Sequence, residues 1–236
     1  MVRLPERLPP RAAFGYGLGA LLHTLARLGG GTGLTAQIGA TVDTLTEGNA
    51  CHLAGVDLAT APPEVAAVTA TEAPVATATP ASVQELANLI AGRFVVVYSC
   101  GAEAHGAGAR LKAQLNENAK CPAYHVRFPE LDHNDIVGWE LAAGDRERFA
   151  LVVLRGGQQS ATERQRLVAT LAELREDLPL TCEIGTRGEQ PLARAMSLVQ
   201  WGDYFSCYVA LAGDVDPVPV TRIERLKRAL AGPDDE

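Results

Sequence analysis

Between Gln114 and Asp135 the chain gathers the side chains that proton transfer and anion stabilisation require. Gln114-Leu-Asn-Glu-Asn-Ala-Lys120 sets a carboxylate between two amides with an ammonium three residues on, and Asp132-His133-Asn134-Asp135 adds an imidazole in an acidic setting. Among 21 Lys and Arg only three are Lys; Lys112 and Lys120 flank or join this stretch, and Lys227 lies near the C-terminus. Three of the five Asn (Asn116, Asn118, Asn134) also fall here. Such groups are costly to bury unless paired, so their concentration marks a candidate site. Glu117 suits a carboxylate base; the plainer reading is a solvated helix end where Glu117 and Lys120 share a face as a weak ion pair. Acidic neighbours favour the proton-donating form of His133, against a plain loop or capping histidine. Lys227, beside a core-facing pair Leu226 and Leu230, is either a solvated cation or a proton donor, a task Arg cannot share.

These residues need a scaffold. Leu18, Leu21, Leu22, Leu25 and Leu28 predict an amphipathic helix over 11–28 stopped by Gly29-Gly30-Gly31, with a second helix over 34–46. Residues 1–50 therefore read as a helical assembly segment and the Ala/Thr/Pro-rich 51–80 as a linker or mobile excursion. From residue 81 the pattern changes. Ser82 caps a helix through Ile90, and Phe94–Tyr98, Ala123–Val126, Phe149–Leu154 and Leu180–Ile184 read as strands. Helices are expected over 103–117, 162–175 (Leu167, Val168, Leu171 and Leu174 inward), 190–200, 203–211 and 218–230. Strands alternating with helices predict an α/β domain over 81–236, a three-layer αβα sandwich with a mainly parallel sheet. Sites in such folds lie beyond the carboxyl ends of the strands, and Glu117 and His133 are expected in or beside those connections.

Composition removes several classes. A net charge of −7 gives no general reason to bind nucleic acid or an anionic membrane. Five scattered cysteines without CxxC spacing suggest reduced thiols in a cytoplasmic protein rather than a disulfide framework or zinc site. The apolar run 12–22 continues through His23 and Arg27 at helical spacing with no cleavage pattern, against a leader or membrane span. Gly101, Gly106 and Gly108 depart from dinucleotide-loop spacing and fit tight strand-to-helix packing instead. No metal-ligand spacing and no Ser-His-acid elbow is visible.

Taken with Pro129-Glu-Leu-Asp-His-Asn-Asp-Ile-Val-Gly-Trp139, Pro191–Leu198, Gly202-Asp-Tyr-Phe-Ser206 and Asp216–Lys227, the 114–123 stretch resembles the bifunctional phosphoglucose/phosphomannose isomerases of the sugar-isomerase (SIS) superfamily. The resemblance covers about residues 80–230, and Leu8–Ala13 looks like that family's inter-domain segment. It implies aldose–ketose isomerisation of a phosphorylated hexose without metal or organic cofactor. Glu117 would move the proton between C1 and C2, and His133, reaching in from the partner of a homodimer, would join Lys227 in ring opening. Arg11 would steady the enediolate, and Asn116, Asn118, Lys120 and Asn134 would line the substrate.

Family members carry two tandem SIS domains, the first with a Ser/Thr-rich phosphate loop. Here the five Ser are well separated and nothing resembles a phosphate nest. The resemblance thus leaves three expectations open: a catalytic C-terminal half, a subunit working with a separate N-terminal SIS-domain protein, or a non-catalytic SIS module that binds a phosphosugar or a protein partner.

Overall fold

The computed structural model describes residue 8 and residues 10–29, 33–53, 82–140, 143–175, 177 and 180–231. Its centre follows from the apolar run Phe94–Cys100, strand β1. Val95 and Val97 enter one buried cluster and Val96 and Tyr98 another, so the strand is covered on both faces. Strands β2 (Ala123–Arg127), β3 (Phe149–Arg155) and β4 (Thr181–Gly185) join it in one parallel sheet of order β2-β1-β3-β4. Val95 pairs with Ala123 on one side and Ala150 on the other, and Leu151 pairs with Thr181.

Parallel strands need crossovers, and these build the outer layers. Helix α4 (Ala102–Glu117) joins β1 to β2 and packs on one face with α3 (Val83–Ile90) and α7 (Pro191–Ala212) over Val95, Val97, Val152 and Ile184. On the other face, two 3-10 turns (Glu130–His133 and Asp135–Trp139) and α6 (Ala161–Glu173) bury Leu131, Trp139 and Leu167 against Val96, Tyr98 and Val153. The Trp139 indole N–H donates to the Tyr98 hydroxyl at 2.6 Å, which satisfies both polar groups inside that layer. The three-layer sandwich is the architecture expected from the strand–helix alternation. Ser82 accepts the Glu85 N–H at the start of α3, and Ser160 and Glu163 form a reciprocal capping box that starts α6.

Four expectations change. Residues 191–212 form one unbroken helix rather than two, because Gly202 faces α4 and is no break: a Cβ there would lie 3.3 Å from Leu111 Cδ1. Val168 is 67% exposed, on the outer side of α6. In α8 (Thr221–Ala231), Leu226 and Leu230 are 59% and 77% exposed, so they do not face this chain's core. The second helix, α2 (Leu34–Leu53), runs seven residues past the expected stop. Most of the stretch expected as a linker, 54–80, lies outside the described residues.

Pairing with α7 explains the extra length of α2. Gln200 donates to the Leu45 carbonyl at 2.7 Å, and Tyr204 donates to Asn49 and Tyr208 to the His52 carbonyl, both at 2.9 Å. Helix α1 (Phe14–Arg27) packs against α2 yet buries no residue, leaving Leu21, Leu25 and the flanking Leu28 exposed. No helix among the described residues is long and apolar enough to cross a membrane.

His52, buried in the α2–α7 seam, has its pKa lowered to about 4 by burial and by the Arg187 charge. His125 on β2 is likewise lowered to about 4, by burial and then by His105 and Arg127. Unfolded imidazoles take a proton near pH 6.5, so the unfolded chain binds more protons below that point. The stability from keeping both rings neutral is full above about pH 6.5 and is lost as pH falls toward about 4. Thermal midpoints should therefore drop through that window, and a His52→Gln/His125→Gln variant should show a flatter profile.

Candidate active site

The first element of the site is the C-terminal end of α4. Arg110, Gln114 and Asn118 recur every four residues on one side of it, all turned toward α7 and the N-terminal segment. Arg110 donates to both Asp203 carboxylate oxygens (3.0 and 2.9 Å), and Gln114 donates to the same carboxylate at 2.7 Å. Arg110 also donates to the Arg11 carbonyl at 3.0 Å and lies 4.3 Å over the Phe14 ring. It thereby pins residues 11–14 across the helix.

So held, Arg11 turns its guanidinium into the site. Nε donates to Asn118 Oδ1 at 2.8 Å and Nη1 lies 3.5 Å from Glu117 Oε2. Nη2 donates to the Pro217 and Val218 carbonyls at 2.9 and 2.8 Å. Asn118, only 5% exposed, completes the frame by donating Nδ2 to Ser206 Oγ at 2.9 Å. The Glu117 carboxylate keeps a third of its side-chain surface open while a fixed cation stands beside it. A group in that position can accept a proton next to a donor able to stabilise a developing oxyanion.

Lys120 does not share a helical face with Glu117. The helix ends at Glu117, and Lys120 takes the left-handed conformation at φ +52. Its ammonium donates to the Glu117 and Asp216 carbonyls at 2.9 Å and the Asn118 carbonyl at 3.3 Å. Burial and the Arg11 charge lower its pKa, against the raising effect of Asp216 and Glu117. Asn116 accepts the Ala123 N–H at 3.1 Å and so anchors the start of β2.

The topology separates Glu117 from His133. Because β1 and β2 are parallel, α4 must return to the amino end of β2, and Glu117 sits there rather than beyond the strands' carboxyl ends. His133 follows β2 at the opposite end, exposed on its 3-10 turn. Five residues of strand, roughly 16 Å at about 3.3 Å per residue, stand between the two levels. The turn is firmly tied: Leu131 is fully buried, and Asp132 accepts from Arg166 at 2.9 Å and Thr170 at 2.8 Å on α6. Asn134 is exposed and accepts the Asp135 N–H at 2.9 Å. Lys227 is exposed on α8, nine residues beyond Val218.

The carboxyl end of the sheet, where ligands of parallel α/β domains ordinarily bind, is filled by the chain itself. Glu103 Oε2 accepts the Gly157 N–H at 2.8 Å and lies 3.4 Å from that of Gln158, while Oε1 meets Arg194 Nε at 2.5 Å. Beside it Ser99, fully buried, bonds His125 at 2.8 Å and His105 at 3.0 Å. Gly108 is needed there, since a Cβ would come within 2.4 Å of the His125 ring.

Sequence reasoning missed Arg110, Asp203, Gln114 and Ser206. The four-residue ladder on α4 was a readable signal for the first and third; the α7 partners lay in the Gly202–Ser206 stretch of the resemblance, but nothing local gave them a role, because their relation to α4 is purely tertiary.

A four-stranded parallel sheet covered by helices on both faces, with a carboxylate beside a bound arginine, defines an α/β domain carrying the groups that a proton transfer needs. Residues 80–230 match the family described as bacterial phospho-glucose isomerase C-terminal SIS domain, and the chain belongs to that family. It is 36% identical over 150 residues to the bifunctional phosphoglucose/phosphomannose isomerase of Aquifex aeolicus, covering 62% of this chain and 45% of the relative. With the enzyme of the same name from Caldicellulosiruptor bescii the identity is 30% over 231 residues, covering 98% and 62%. A solved glucose-6-phosphate isomerase-like protein from Thermus thermophilus shares the fold, with a TM-score of 0.57 at 19% identity over 80% of this chain and 57% of that one. The chain spans about half the length of the curated relatives it matches.

Proposed function

We propose that this chain is the catalytic half of a phosphosugar aldose–ketose isomerase that interconverts glucose 6-phosphate or mannose 6-phosphate with fructose 6-phosphate. The observation that carries the reading is the Arg11–Glu117 pair: two residues 106 apart in sequence meet at 3.5 Å beside an open edge of the domain. In the forward direction Glu117 takes the proton from C2 of the open-chain aldose and returns it to C1 as the enediol collapses to the ketose. The O2 proton passes to O1 in the same interval, so the reaction is a net isomerisation with no external redox partner. Arg11 stabilises the oxyanion of the enediolate. His133 from a second protomer and Lys227 donate and accept the proton of ring opening. Exposed Asn116, with Asn134 brought beside His133 by the second protomer, offers an amide to the sugar, while Asn118 and Lys120, whose polar groups are already hydrogen-bonded within the chain, frame the site behind them.

Homodimerisation through the unburied apolar residues of α1 and α8 fits this reading, and so does a cytoplasmic location, since Cys100, Cys121 and Cys182 are buried and unbridged. The test is a coupled assay on the purified full chain with fructose 6-phosphate, run beside Glu117→Gln. Turnover in the parent that vanishes in the variant is expected. Equal turnover in both rejects the base assignment.

One observation favours a second reading, a non-catalytic module whose partner is a protein. The anion-seeking N–H groups of Gly157 and Gln158 already hold Glu103, so this domain's own crevice offers a phosphate little. A separate N-terminal SIS-domain subunit would supply that grip. Activity that appears only on adding such a subunit would distinguish a half-enzyme from a binding module.

A further inference from the structure

We propose that Lys120 is a positioning residue that locks the segment leading into α8 onto the end of α4 carrying Glu117, and so sets the geometry between the base and its surroundings. The proposal rests on the reading of Glu117 as the base. Three observations carry it.

The first is backbone conformation. Lys120 holds φ +52, a region that disfavours any residue with a Cβ and that helix ends usually assign to Gly or Asn. A lysine retained there must be compensated by its side chain, and such outliers concentrate at functional positions.

The second is what the side chain does. Helix ends leave their last carbonyls without N–H partners. Here the turn sends the Cys121 N–H back to the Leu115 carbonyl at 3.1 Å, and Lys120 Nζ takes the carbonyls of Glu117 and Asn118 itself. The third ammonium proton goes to Asp216, across 96 residues of sequence. An ammonium has three donors arranged to converge on three acceptors; the planar guanidinium of Arg does not.

The third is continuity. Lys120 holds the carbonyl of Asp216, and Arg11 holds those of Pro217 and Val218. Two cations thus grip three successive carbonyls of one crossing, and both also grip the Glu117 end of α4, Lys120 through main chain and Arg11 through side chains. The Asp216 carboxylate accepts the Val218 N–H at 2.9 Å and shapes the crossing for this double grip. A substrate ammonium contact would leave Lys120 with donors in solvent; instead they are spent on the frame.

Lys120→Gly tests this cleanly, because glycine suits the left-handed turn and the variant should fold with a thermal midpoint at or near wild type. Three results are expected. Amide hydrogen exchange at Val218, whose N–H is bonded within the crossing, should quicken by about ten-fold or more, with Phe94–Cys100 unchanged. Turnover (kcat) should fall by about ten- to a hundred-fold while KM changes by less than about two-fold, since a misplaced base loses geometry rather than binding. Lys120→Arg should not restore it.

Unchanged exchange at Val218 overturns the proposal whether or not the chain turns over, and so does a wild-type kcat in Lys120→Gly. A raised KM with intact kcat also overturns it, in favour of direct substrate contact. Glu117→Gln assayed alongside keeps the two readings apart: if that variant is fully active, the base assignment fails while the exchange result still decides the clamp.

Discussion

An equimolar mixture of Glu117→Gln and His133→Ala proteins, incubated until subunits exchange, is expected to recover about a quarter of wild-type isomerase activity. Each variant alone should be reduced by about 10²- to 10⁴-fold, the usual worth of a positioned acid or base. The expectation comes from topology. Glu117 ends the helix that returns to the amino end of β2, and His133 lies past the carboxyl end of the same strand, held there by Leu131 and the Asp132 bonds to α6. Neither anchor allows one chain to bring the two together. If both act on one sugar, the imidazole must come from a second copy whose carboxyl edge meets this chain's amino edge. A two-fold pairing then makes two such sites, each with Glu117 from one protomer and His133 from the other. In a mixed dimer one site carries both lesions and the other carries neither. Random exchange makes half the dimers mixed, and each has half its sites intact. The measurement is a coupled assay on the mixture, with sedimentation showing that it is dimeric. Dimers that mix and stay inactive would exclude a shared site and with it the role given to His133.

The sheet was legible because its signals are local. Phe94–Cys100 and Phe149–Arg155 are apolar runs of strand length, Ser82 announces its helix, and each needs only its own neighbours to be recognised. The gap expected between 200 and 203 fails for the opposite reason: whether Gly202 breaks a helix or lets two helices touch is undecided until its partner, Leu111, is known. Leu226 and Leu230 misled because an apolar stripe says that something is covered, not that this chain covers it. In the site, Glu117 stood out by its residue type and its amide neighbours. Lys120 also stood out, but as a charge beside Glu117 rather than as a clamp, because a left-handed lysine has no one-dimensional signature. Placing Glu117 at the amino end required only the parallel pairing of β1 and β2 and the direction of the intervening helix. That inference was within reach of the sequence once the alternation was recognised.

Glu103→Ala should be the most destabilising single change at the sheet's carboxyl end, by roughly 3–5 kcal/mol, the usual cost of stripping one partner from a buried ion pair. The Glu103 and Arg194 side chains are 13% and 9% exposed and meet at 2.5 Å. Arg194 Nη1 is taken by the Glu189 carbonyl, and Nη2 is buried without a hydrogen-bond partner. Among the described residues Glu103 is therefore the sole carboxylate paired with a guanidinium that already has one donor unsatisfied, and its loss leaves a nearly bare charge inside. The same change deprives Gly157 of its N–H acceptor and takes Gln158's along with it. Removing the charge as well should reverse part of the damage. Glu103→Ala/Arg194→Met is expected to lose clearly less than the sum of its single variants, with a coupling of at least about 1 kcal/mol in a denaturant cycle. Strict additivity would mean that the pair is screened and that Glu103 serves only the backbone groups. The functional corollary uses inorganic phosphate as probe. If the Glu103 carboxylate is the resident anion of this crevice, phosphate should protect Glu103→Ala against unfolding, through Arg194 and the freed N–H groups, and leave the parent unaffected. Equal protection of both proteins would instead put the phosphate contact outside the crevice.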